Sequence, residues 1–62
     1  MSGDLIGFNV DGLYIRCRGP FPREVAEAAH DGLQFRDRQL LIAWLNMAFP
    51  GWRKHVEYSE NL

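Results

Sequence analysis

A chain of 62 residues has room for one small domain, and a domain of this size buries only about 60% of the surface its unfolded form exposes. The single cysteine, Cys17, excludes an internal disulfide, and a hydrophobic content of 47% places the chain among globular proteins. Eight acids against seven bases, a net charge of -1, leave no strongly basic footprint of the kind a dedicated nucleic-acid binder carries.

No apolar run approaches the roughly 18 residues of a membrane span. The start, MSGDLIGF, lacks the basic and long apolar regions of a secretory signal. The expected setting is therefore a reducing cytoplasm. From Met1 to the polar end SENL, the chain reads as a complete small gene product without repeats or low-complexity segments.

In chain order, Leu5 to Cys17 comes first. Two apolar-rich runs, LIGFNV and LYIRC, flank Asp11-Gly12, and Asp-Gly between alternating hydrophobics predicts a two-residue type I′ turn, in which both turn residues take positive φ. That turn pairs Val10 with Leu13, Phe8 with Ile15 and Ile6 with Cys17, so all six apolar side chains share one face. The other face then sets Asn9 opposite Tyr14, Gly7 opposite Arg16, and Leu5 opposite Arg18. A lone hairpin is marginal in water, so more structure must cover it.

The stretch Arg18-Gly19-Pro20-Phe21-Pro22 is a connector, and Pro22 suits the first turn of a helix. A short helix is predicted over residues 22–31, with Val25, Ala28 and Ala29 inward and Asp31-Gly32 as its stop. Glu24, Glu27 and Asp31 form an acidic outer stripe. The central helix is predicted over residues 37–49, capped by Asp37 and ended by Pro50-Gly51. Leu40, Leu41, Trp44, Leu45 and Ala48 lie on its inward stripe. The tail, residues 52–58, alternates with Trp52, Val56 and Tyr58 on one side, which predicts a third strand; a short helix is the alternative. The expected fold is α+β, in the order ββααβ: a three-stranded antiparallel sheet with two helices packed on one face.

Three surfaces stand out as partner sites. The central helix carries more apolar bulk than one buried stripe needs, so Ile42, Phe49 and Trp52, with Met47 nearby, are expected to form an exposed apolar edge. The acidic stripe of Glu24, Glu27 and Asp31 is the second. Tyr14, Arg16 and Arg18 on the open hairpin face are the third, with Arg53 and Lys54 beside them on the last strand. An aromatic residue among arginines on a solvent-facing sheet suits protein interfaces and can also stack a base.

No spacing predicts chemistry. Cys17, His30 and His55 match no zinc pattern, Cys17 reads as a small buried hydrophobe, and His30 as a charge at a helix C-terminus. His55 reads as a solvated strand residue. Gly3, Gly7 and Gly12 lie in and around strands and form no phosphate loop. No catalytic residue, metal ligand or cofactor is expected. The expected function is a small non-enzymatic binding protein acting stoichiometrically on a larger protein or assembly, singly or as a homodimer. Inhibitors and regulators of host machinery encoded by phages and mobile elements, including anti-defence inhibitors, are the class it suggests. The alternative is a nucleic-acid-binding regulator using Tyr14, Arg16 and Arg18.

Overall fold

The computed structural model describes residues 4–61; Gly3 lies outside them. The order is β1 (Leu5–Val10), β2 (Leu13–Arg18), α1 (Arg23–His30), α2 (Arg38–Ala48), a 3-10 turn (Trp52–His55) and β3 (Val56–Asn61). The strands form one antiparallel sheet in the order β1-β2-β3. The two helices supply its second layer, so the expected ββααβ architecture stands.

The hairpin follows its local chemistry. Asp11 has φ 51° and Gly12 φ 80°, the left-handed pair a type I′ turn demands, and the register is Val10 with Leu13, Phe8 with Ile15 and Ile6 with Cys17. Phe8, Val10, Ile15 and Cys17 are buried against the helices. The Gly19-Pro20 peptide in the following connector is cis.

Pro22 precedes α1, and its carbonyl accepts the first helical hydrogen bond from the Ala26 amide. The helix ends in a Schellman motif. Gly32 takes φ 77°, its amide donates to the Ala29 carbonyl, and the Leu33 amide donates to the Ala28 carbonyl. Val25 is the fully buried residue of this helix, with Ala28 and Ala29 half-buried beside it.

Asp37 caps α2, its carboxylate accepting from the Leu40 amide at 3.0 Å. The buried stripe is Leu41, Leu45 and Ala48, spaced i, i+4, i+7. Leu40, expected on this stripe, is exposed instead. One residue from Leu41 it is turned about 100° away, outside an arc centred on Leu41 and Leu45. Trp44 lies between these positions, half-buried against Phe8 and Phe35.

The tail departs from expectation in two ways. Residues 52–55 form a 3-10 turn, and the strand begins only at Val56. Gly51, at φ 80°, reverses the chain after Pro50 and folds Trp52 back under the sheet. Within β3, Val56 pairs with Cys17 but Tyr58 with Arg16, which leaves Glu57 as an extra residue in a β-bulge. The bulge breaks the simple alternation, so Val56 faces the core while Tyr58 joins the open face. The expected sharing of one side by Trp52, Val56 and Tyr58 is overturned.

No helix among the described residues is long and apolar enough to cross a membrane.

Candidate partner-binding face

The open side of the sheet gathers the polar and aromatic positions of all three strands. Tyr14, Arg16 and Arg18 lie on it as expected, and β3 adds Glu57, Tyr58 and Glu60. Tyr14 lies across Gly7: a Cβ placed there would meet its hydroxyl at 2.7 Å, so the glycine is what lets the ring settle on β1. The Tyr14 and Tyr58 rings stand 6.0 Å apart at 54°, and the Arg16 guanidinium lies 5.3 Å from the centroid of the Tyr58 ring, within cation-π range.

Glu57 controls the charge of this face. From its bulge position one carboxylate oxygen accepts from Arg18 Nε, and the other lies 4.0 Å from Arg16 Nε. A single acid thus spans two arginines that would otherwise repel each other from the same side of β2. Arg16 Nε is shielded from water yet has no hydrogen-bond partner, because 4.0 Å is an ion-pair distance and too long for a hydrogen bond. Tyr58 donates its hydroxyl proton to Glu60 Oε1 at 2.8 Å. That bond, with the negative charge of Glu60, raises the Tyr58 pKa above the ordinary value of 10.0. Two arginines and two glutamates leave the face balanced in charge.

The apolar edge is not where the sequence places it. Phe49 is only 4% exposed and Trp52 6%, and Ile42 is half-buried against the core. Phe49 is the residue at which α2 stops, with φ -138° and ψ 68°. Its ring therefore leaves the helical wheel and packs on Phe21 at 5.7 Å and His55 at 4.9 Å. Trp52 donates Nε1–H to Asn46 Oδ1 at 2.9 Å. The apolar surplus of α2 lies on the opposite flank, where Met47 is 81% exposed and Leu40 also faces out.

The acidic stripe is on the surface as expected, with Glu24, Glu27 and Asp31 all exposed. Its charge is reduced, since Arg23 Nε donates to Glu27 at 3.1 Å. Arg53 and Lys54 are not on the sheet. They belong to the 3-10 turn, where Arg53 stacks on Trp52 at 4.5 Å. His55 is half-buried, and its Nδ1 lies 3.0 Å from the Arg18 carbonyl. A carbonyl only accepts, so Nδ1 carries the proton and the ring is a tie between turn and sheet, which corrects its reading as a solvated strand residue. Cys17 is fully buried, and burial raises its thiol pKa above 9.0. Among the described residues no three His, Cys, Asp or Glu side chains converge as a metal site would require.

Sequence reasoning missed two residues here. The position of Glu57 between the arginines depends on a bulge that has no local signature. Arg38, the first residue of α2, is the other. It donates to the Asp11 carbonyl at 2.6 Å and to Asn61 Oδ1 at 2.9 Å, tying the start of α2 to the hairpin turn and the end of β3.

The chain matches no protein-family model, no curated protein and no solved structure.

Proposed function

We propose that this chain is a small non-enzymatic binding protein that acts stoichiometrically on a larger protein or assembly through the open face of its sheet. The observation that supports the reading is the clamp of Glu57 on Arg16 and Arg18. A phosphate-binding face needs excess positive charge to displace counterions, whereas here each arginine already has an acid beside it. Paired tyrosines with an arginine over one ring are instead the residue types enriched at the energetic centres of protein interfaces. A cytoplasmic location agrees with a single thiol that is free and fully buried. An inhibitor or regulator of host machinery encoded by a mobile element is the class that such a stoichiometric binder would join.

The second reading, a nucleic-acid-binding regulator, has the 6.0 Å Tyr14–Tyr58 pair in its favour, since such a pair can stack bases. The test is capture of partners on the immobilised chain from lysate of its source cells, with and without nuclease and over a salt series. The protein-binding reading expects a defined protein retained at fixed stoichiometry after nuclease and lost when Tyr58 and Arg16 are both changed to alanine. Recovery that vanishes with nuclease and falls steeply with salt would establish the second reading in its place.

A further inference from the structure

The open face does not account for the free edge of β1. The Val10–Leu13 pair closes a two-residue turn, so the backbone groups of Ile6, Phe8 and Val10 face β2. The bond from the Gly19 amide to the Asp4 carbonyl keeps the same alternation. The N–H and C=O groups of Leu5, Gly7 and Asn9 consequently point away from the sheet, along an edge that no other strand among the described residues covers. Residues 5–10, LIGFNV, contain no charge and no proline, the two features that most often protect an edge from pairing. Beside this edge runs a groove of ≈ 690 Å³ walled by the α1–α2 connector, with Leu33 43% and Leu5 45% exposed.

We propose that a second copy of this chain occupies this edge, β1 pairing antiparallel with β1 about a two-fold axis at Gly7. In that register Leu5 faces Asn9 of the second copy and Gly7 faces its Gly7. Each pair uses the outward backbone groups that the single chain leaves free. The charges at the two ends of the strand are complementary. Asp4 precedes β1 at one end. At the other, Arg36 stands two residues before Arg38, whose guanidinium bonds the Asp11 carbonyl and already meets the Asp11 carboxylate at 3.7 Å. Antiparallel pairing carries Asp4 of each copy to the Arg36 end of the other, and the two-fold axis makes the contact twice. Among the described residues neither Asp4 nor Arg36 has an ion-pair partner within the chain.

Residues opposite each other in an antiparallel pair lie on the same face, so the dimer is one six-stranded sheet with both helical layers on one side. The Leu33 walls of the two grooves then face each other. The two open faces become one continuous surface with a Tyr14–Tyr58–Arg16 cluster on either side of the axis, so the dimer presents its partner surface in duplicate.

Sedimentation equilibrium of the full chain over a wide concentration range tests this. The proposal expects the mass to rise to twice that of the chain. Asn9→Pro removes one outward N–H while sparing the β1–β2 ladder; it is expected to abolish the dimer with the circular dichroism unchanged. Asp4→Arg and Arg36→Asp lie outside the ladder and provide the second arm if the proline variant unfolds. Each is expected to weaken dimerisation about tenfold, and the double variant to restore it. A chain that stays monomeric at every concentration overturns the proposal. So does a dimer that survives Asn9→Pro in a folded chain, or a double charge swap that gives no rescue. A monomer whose capture of a foreign protein is blocked by Asn9→Pro would assign the edge to a strand from another protein instead.

Discussion

The sheet has two outer edges, and they are built on opposite plans. β3 carries a bulge at Glu57, two acids, and an Asn61 side chain held by Arg38, all devices that discourage a further strand. β1 is regular, uncharged and flanked by exposed leucines. An unprotected edge in a small protein is an aggregation hazard unless something occupies it. The bulge turns Tyr58 and Glu57 onto the open face and also interrupts the regular edge that a further strand would need.

Both edges rest on one core, so its loss has the largest effect. Leu41 is fully buried beneath the sheet, and Leu41→Ala is expected to cost about 3 kcal/mol, read by chemical denaturation. Amide exchange at both edges should accelerate together; protection that survives in β1 alone would mean that the hairpin folds independently of the helices.

Deleting Glu57 sharpens the contrast from the other side. It regularises the pairing of β3 and removes an acid, making that edge resemble β1. The expected result is assembly beyond a dimer, seen as a rising sedimentation mass, while an unchanged mass would show that the bulge is not what protects the edge.

Arg38→Ala unties the turn and the end of β3, with an expected loss of about 1 kcal/mol. Exchange should rise at Asn61 and Asp11 and stay unchanged in the middle of β1.

The smallest effect is a titration. Because the Tyr58 pKa is raised by its bond to Glu60, ultraviolet titration should place it above 10, and Glu60→Ala should return it toward that value. The folded state holds the neutral phenol more tightly than the unfolded state does. Its contribution is therefore fully present below the ordinary tyrosine pKa and is lost as pH rises through the higher folded value. A Tyr58 that titrates identically in both proteins would mean that the bond is not made in solution.

The site was only partly legible in advance. Tyr14, Arg16 and Arg18 were placed on one face because a period of two and a defined turn leave no other choice. Their electrostatic state was not legible, because Glu57 lies some forty positions along the chain and arrives through a bulge. Phe49 was misplaced because a helical wheel assumes that the helix continues, Trp52 because the expected strand begins only at Val56, and Ile42 because its side chain packs against the core from within the helix. The chain leaves α2 at Phe49, and a residue in a cap or a turn has no wheel position.

By itself the sequence determined what short-range chemistry controls. Asp11-Gly12 dictated the hairpin register, Asp37 the start of α2, Gly32 and Gly51 the reversals after each helix, and the alternation of β1 and β2 which of their faces is buried. These features depend on bonds within a few residues, where steric and hydrogen-bond rules leave few alternatives. Long-range packing set the rest: Tyr58 crosses to the open face, Glu57 bridges two arginines, Phe49 and Trp52 close the core, and β1 is left as an edge. Each of those outcomes depends on which distant segment arrives alongside, and that is settled by how the whole chain packs its apolar surface.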